Sequence, residues 1–319
     1  MPTPTEKLTL GWIGTGRMGY EMAARLAKGG CDIAVWNRTK AKADPLKGYG
    51  AKVVDSLPQL AACDIVFCMV STWDDVKEVV GKLLSGSTKP RMIVECSSIS
   101  LEGSAELREI LSKQKVEYLA APVSGNAKVI KAGKLTFVVS GPKSAYEKAK
   151  PYLDMMGTGS SYVGEGELAR IAKICHNVML GVVIQCLSEI TILAQKAGVP
   201  RHAFLAFIND SVMGSAFTRY KSNALVNLDW TTTFTPELLR KDLDLGLQAA
   251  RALEVPMPVT AATREALQAH FGAATLKPDP AAYLSQDFAA LLETVALAAG
   301  LRLEPEEVPT PTGLEPSDH

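Results

Sequence analysis

The chain has 319 residues, enough for two domains and too many for one simple core. Hydrophobic residues make up 47% and charged residues 21%, ordinary values that exclude a disordered or collagen-like chain. Lys plus Arg and Asp plus Glu each total 34, so bulk charge draws the chain to neither nucleic acid nor an anionic membrane, and neither is expected as a partner.

Residues 8–13 (LTLGWI) predict a short strand. It runs into Gly14-Thr15-Gly16-Arg17-Met18-Gly19 and then a helix ended by Gly29-Gly30. Residues 32–36 predict a second strand, followed by Asn37-Arg38-Thr39. Further strands are expected over 64–70, 91–95, 116–121 and 135–140, with a helix over 102–114. From 167 to 300 no strand is expected, only helices over 167–197, 201–210, 215–226, 236–253, 258–271 and 280–299. The pattern predicts an α/β chain: a dinucleotide-binding domain with a parallel sheet at 1–166, an all-α domain at 167–303, and a Pro- and acid-rich disordered tail at 304–319.

The six cysteines have no CxxC pair, which suits a reducing, cytoplasmic setting. The four histidines form no metal-binding spacing, so no metal site is expected. The first residues contain no apolar stretch of leader length. The most apolar stretch, 171–197, is interrupted by Lys173, His176, Asn177, Gln185 and Glu189, and predicts a buried helix rather than a membrane span.

Gly14-x-Gly16-x-x-Gly19, between a strand and a helix, has the mechanics of a dinucleotide fingerprint. Its glycines serve a tight turn, close approach to a pyrophosphate, and close helix–strand packing, and the helix N-terminus faces the anion. NAD-selective sites of this kind place an acid after the second strand. Here Asn37, Arg38 and Thr39 stand there, and a guanidinium suits a 2′-phosphate. NADP(H) is therefore the expected cofactor, with NAD(H) left open.

Lys173 and Asn177 lie four positions apart on one helix face. Spacing alone leaves two readings open: a desolvated lysine fitted for proton exchange, or a lysine snorkelling past a packing amide. Arg170 reads as a surface or interface charge and His176 as a packing residue.

Four blocks together resemble the β-hydroxyacid dehydrogenase family. They are Gly11-Trp12-Ile13-Gly14-Thr15-Gly16-Arg17-Met18-Gly19, Ala121-Pro122-Val123-Ser124-Gly125, Lys173-Ile174-Cys175-His176-Asn177 and Lys241-Asp242-Leu243. The resemblance implies an N-terminal Rossmann domain, an all-α substrate and oligomerisation domain, and an active site in the cleft between them. It implies an oxidoreductase acting on a small β-hydroxyacid or its semialdehyde, in a homo-oligomer (a dimer or tetramer). Lys173 would be the catalytic group, and Ser124, Gly125, Asn126 and Asn177 would hold the substrate. Val70, Ser71, Ser98 and Lys241 would join the fingerprint in holding the cofactor. The chain departs from the family pattern at Ala120, Asn126 and His176, around the expected substrate pocket. Two other readings share the scaffold: an imine reductase, against which Lys173 argues, and a non-catalytic NADP-binding interaction protein.

Overall fold

The computed structural model describes residues 7–314, which fall into two compact units that divide after residue 173. In the first unit, β1 (Leu10–Ile13), α1 (Arg17–Lys28), β2 (Ile33–Trp36), β3 (Lys52–Val53), β4 (Ile65–Cys68), α2 (Trp73–Leu83), β5 (Met92–Glu95), α3 (Leu101–Lys113) and β6 (Glu117–Ala120) follow in order, and the six strands build one sheet. Its order is β3-β2-β1-β4-β5-β6 and every pairing is parallel. β1, β4 and β5 are buried at every residue, as a parallel sheet covered on both faces requires. One core contains Trp12 and Phe67, whose rings stack with centroids 5.6 Å apart; the other contains their neighbours Ile13 and Val66.

The chain then forms β7 (Val123–Ser124), α4 (Ala127–Lys131), β8 (Thr136–Val139), α5 (Lys143–Met156) and β9 (Gly159–Tyr162). The strand expected over 135–140 therefore lies in a separate three-stranded sheet, antiparallel to β7 and parallel to β9.

α6 (Leu168–Lys196) begins in the first unit and continues into the second. The second unit adds α7 (Arg201–Asp210), α8 (Ala216–Asn227), α9 (Pro236–Ala252), α10 (Pro258–Ala274), α11 (Pro280–Leu284) and α12 (Leu291–Ala298), with no strand among its described residues. α6 was expected to be enclosed on nearly every side. Instead, half of its most apolar 18-residue window is buried, while Met179 and Leu193 are about 70% exposed.

Two further expectations are corrected. The single helix expected over 280–299 is broken at Asp287. That buried carboxylate receives Lys221 Nζ at 2.5 Å and the Thr233 N–H at 2.8 Å, and it caps the turn that precedes α12. The tail expected to be disordered is docked as far as residue 314; residues 315–319 lie outside the described part. Arg201 Nη2 donates to the Glu304 carbonyl at 2.5 Å, and Glu306 accepts from the N–H groups of Arg201 and His202 at 2.8 and 2.9 Å. Asn227 pairs twice with the Val308 backbone, at 2.9 and 3.1 Å.

Candidate active site

Ile13, Cys68, Glu95 and Ala120 form one row across β1, β4, β5 and β6. Because the strands are parallel, the segments after those residues all leave at the same sheet edge. They carry Gly14–Gly19, Val70–Ser71, Ser97–Ser98 and Val123–Asn126. The strand order reverses between β2-β1 and β4-β5, the position where ligands bind in open α/β sheets.

A cavity of about 340 Å³ opens there, lined by Gly14, Gly16, Arg17, Met18 and Gly19. Each glycine has a distinct steric reason. Gly14 has φ +94°, and a Cβ on it would run into the Met69 carbonyl; a Cβ on Gly19 would run into the Gly14 carbonyl. Around Gly16 the space is open, so a ligand can approach the backbone directly. No side chain caps the N-terminus of α1, which leaves its first-turn N–H groups to an anion. The Thr15 hydroxyl is buried without a partner. These features fit a dinucleotide pyrophosphate.

Asn37, Arg38, Thr39, Val70 and Ser71 line the same cavity. Asn37 braces it: its Oδ1 accepts from the Thr15 N–H and its Nδ2 donates to the Thr39 carbonyl, both at 2.8 Å. The Arg38 side chain is 74% exposed and pairs with Asp75 at 3.3 Å and Glu78 at 4.0 Å. Lys42, Asp75 and Glu78, absent from the sequence reading, also line the cavity. The spacing from Asn37 to Lys42 and the Thr72–Asp75 capping box were the available signals.

Ser98 is exposed in the turn after β5, while the neighbouring Ser97 is buried and its Oγ accepts from the Val70 N–H at 2.9 Å. Arg170 is not a surface charge. It is 2% exposed and ion-pairs with Glu95, which has no exposed surface. Its Nη1 donates to the Ser97 carbonyl at 2.6 Å, its Nε to Ser104 Oγ at 3.2 Å and its Nη2 to Tyr118 Oη at 3.3 Å. Burial pushes the Tyr118 hydroxyl up to about 12, so it stays a neutral partner. Lys173, half-buried, follows one turn later on the same helix.

Gly125, after β7, has φ +137°, and a Cβ would meet Val129 Cγ1 at 2.8 Å. Asn126 is the N-cap of α4: its Oδ1 accepts from the Lys128 and Val129 N–H groups at 3.0 and 3.1 Å. The carbonyl end of that amide therefore holds the turn, a role not expected from the sequence, where Asn126 stood only as a substrate contact. Ser124 precedes it in β7 and is partly exposed. In the second unit, Asn177 Nδ2 donates to Asp242 Oδ2 at 2.6 Å, His176 Nδ1 lies 2.9 Å from Asn177 Oδ1, and Lys241 Nζ lies 3.4 Å from Asp242. Asp242 thus connects two of the blocks read from the sequence. Among the described residues no three His, Cys, Asp or Glu side chains come together as metal ligands would.

Residues 9–164 match the family model of the NAD binding domain of 6-phosphogluconate dehydrogenase, and residues 168–285 match that of the NAD-binding domain of NADP-dependent 3-hydroxyisobutyrate dehydrogenase. The chain is 32% identical over 262 residues to glyoxylate/succinic semialdehyde reductase 2 of Arabidopsis thaliana, covering 81% of this chain and 73% of that one. The solved structure of Mycobacterium tuberculosis 3-hydroxyisobutyrate dehydrogenase with L-serine superposes with a TM-score of 0.75 at 25% identity, over 91% of this chain and 99% of that one. A Myxococcus stipitatus imine reductase with NADP+ shares the fold at a TM-score of 0.54 and 24% identity, over 90% and 99% of the two chains. With the glycine fingerprint, the switch-point cavity and both matched domains in place, the chain belongs to the β-hydroxyacid dehydrogenase family and is an NAD(P)-dependent oxidoreductase of hydroxyacids and their semialdehydes.

Proposed function

We propose that the protein reduces a small semialdehyde or oxidises the matching β-hydroxyacid, with NADP(H) as preferred carrier and Lys173 as general acid and base. The observation that carries this reading is the shared sheet edge. The cofactor cavity and the Val123–Asn126 turn arise from it, and the first turn of the lysine helix is hydrogen-bonded to it through Arg170. The nicotinamide, when bound, supplies or accepts the hydride. In reduction the Lys173 ammonium donates a proton to the oxygen that develops negative charge; in oxidation the neutral amine takes it back. The Ser124 hydroxyl and the backbone N–H groups of the glycine turn offer donors to the carboxylate of the substrate. Asp242 orients the Asn177 amide as a substrate contact.

Arg38 supports the cofactor preference, and Lys42 supplies a second cation lining the same cavity. Lys241 would add a further cofactor contact. Six unpaired thiols suit a reducing compartment such as the cytoplasm. The exposed apolar side of α6 supports assembly into a homo-oligomer.

The deciding experiment is loss of NADPH absorbance with a panel of semialdehydes, ketones and cyclic imines, run with both cofactors. Turnover of semialdehydes is the expected result. Turnover confined to cyclic imines would replace this reading with imine reduction, and cofactor binding without turnover would favour a non-catalytic role. Lys173→Met should keep NADPH affinity and lower turnover by roughly 10²–10⁴-fold, the range for losing an acid–base group. A variant that retains most of its turnover would remove Lys173 from the mechanism.

A further inference from the structure

A cluster of five buried polar side chains, Glu95, Ser97, Ser104, Tyr118 and Arg170, underlies the edge of the sheet where the cavity opens. Burying a charged pair gains little stability by itself, because desolvation offsets much of the attraction. The pair's remaining hydrogen bonds therefore need another explanation, and their destinations supply one.

One guanidinium serves four acceptors on four segments. Glu95 ends β5, the Ser97 carbonyl belongs to the turn that carries Ser98, Ser104 lies in α3 and Tyr118 lies in β6. Glu95 returns a second bond to the same turn, accepting from the Ser97 N–H at 2.6 Å. The Ser97 hydroxyl then fixes the Val70 N–H at 2.9 Å. Both peptide groups of Ser97 and the amide of Val70 are thus set by one network. That network is anchored on α6, three residues before Lys173, roughly 4.5 Å along the helix axis.

We infer that Arg170 is a positioning residue: with Glu95 it fixes the placement of Lys173 relative to the Val70–Ser71 turn, which lines the cofactor cavity, and the neighbouring Ser97–Ser98 turn. The inference rests on the proposed role of Lys173. The planar fork is essential to it, since a lysine ammonium has only three donors and cannot reach four segments in fixed directions.

The test uses the full-length enzyme with the best substrate from the panel. Arg170→Lys, Glu95→Gln combined with Arg170→Gln, and Ser97→Ala are compared in turnover number, KM, NADPH affinity, thermal midpoint and the primary isotope effect with deuterated NADPH. Arg170→Lys should lower kcat by about 10- to 100-fold, the scale of an ångström-sized misplacement. The isotope effect should rise as hydride transfer becomes more limiting, with NADPH affinity little changed. The double glutamine variant removes both buried charges and tests a purely structural role. If its thermal midpoint and its kcat both return toward wild type, the pair is only a clamp and the inference fails. Low kcat in a stable double variant supports it. Ser97→Ala removes one hydroxyl and decides the matter even where the arginine variants do not fold. A lower kcat with a larger isotope effect and a near-native midpoint is expected, and wild-type values of both kinetic quantities overturn the inference. The Lys173→Met result separates the two failures: if that variant loses turnover while the Ser97 and Arg170 variants keep theirs, only the positioning role is wrong.

Discussion

His270 has no exposed surface, its Nδ1 lies 2.8 Å from Thr294 Oγ1, and its Nε2 is buried without a partner. Burial lowers its pKa to about 4 from the usual 6.5. Between those values the unfolded chain takes up a proton that the folded chain refuses, so folding stability falls as pH drops through that window. The loss approaches about 3 kcal/mol at the acid end, at 1.36 kcal/mol per pKa unit. Thermal midpoints of the wild type and His270→Phe between pH 7 and pH 4.5 check this. The substitution should flatten the acid slope of the helical unit, whatever it does to stability at pH 7. Arg38 gives a second prediction at this scale. A charge-assisted bond to a 2′-phosphate is worth about 1.5–3 kcal/mol, so NADPH should exceed NADH in kcat/KM by at least about tenfold. Arg38→Ala should erase most of that margin. Because the guanidinium is mostly exposed and is shared with Asp75 and Glu78, added salt should weaken the preference as well. Equal efficiency with the two cofactors would reduce Arg38 to a partner of those carboxylates.

At the scale of the element, the docked segment after residue 303 covers a buried arginine. Arg201 also donates from Nε to the Leu225 carbonyl at 2.9 Å and from Nη2 to the Val226 carbonyl at 2.7 Å, so the segment seals a charge that α7 and α8 hold from the other side. Burial pushes Glu306 up, but hydrogen bonds from His202 and the Arg201 N–H prevail and hold it below the usual carboxylate range. Truncation after residue 303 should cost about 2–4 kcal/mol of helical-unit stability through the lost partners of charged groups. Its midpoint should fall by at least ~5 °C, and an unchanged midpoint in a calorimetric scan would show that the segment rests on the surface without holding it. The same segment shows why parts of the fold were hard to read. A run rich in proline and acid resembles a solvated tail, and its partner Arg201 lies about a hundred residues away in sequence. Arg170 was misread for a like reason, since Glu95 is 75 positions distant, and the break at Asp287 depends on Lys221 in another helix. The glycine fingerprint was legible because its strand, its glycine spacing and its helix follow one another in the chain, and the steric demand on Gly19 comes from Gly14, although that on Gly14 comes from Met69 after β4. α2 and α5 went unread, although Thr72 and Asp75 form a cap box at the start of α2; α5 carries an internal Pro151 that hides its period.

At the scale of the whole molecule, α6 poses the main question. Its mean hydropathy of 1.7 over 18 residues is high enough for a membrane span, yet half of that window is buried in the protein. Cys175, Met179, Cys186 and Leu193 are exposed along it at intervals of four, seven and seven residues, a seam that returns to one side of a helix. The stripe is apolar apart from the exposed Glu189 between Cys186 and Leu193, and a second copy of the same stripe can cover it through a two-fold axis. A stable pairing needs about 800 Å² from each partner. The exposed Phe207, Val212 and Met213 in the second unit supply apolar surface besides the seam. Light scattering on the detergent-free protein should therefore give a multiple of the single-chain mass at micromolar concentration. Cys186→Glu combined with Leu193→Glu places two like charges from each copy in the seam, and should shift the population toward the single chain while leaving the fold measured by circular dichroism intact. Those two positions are more than two turns from Asn177, so any accompanying loss of turnover would mean that assembly itself supports the active site. A wild-type mass equal to one chain would show that the stripe is not covered by a second copy, and a protein soluble only in detergent would assign it to lipid.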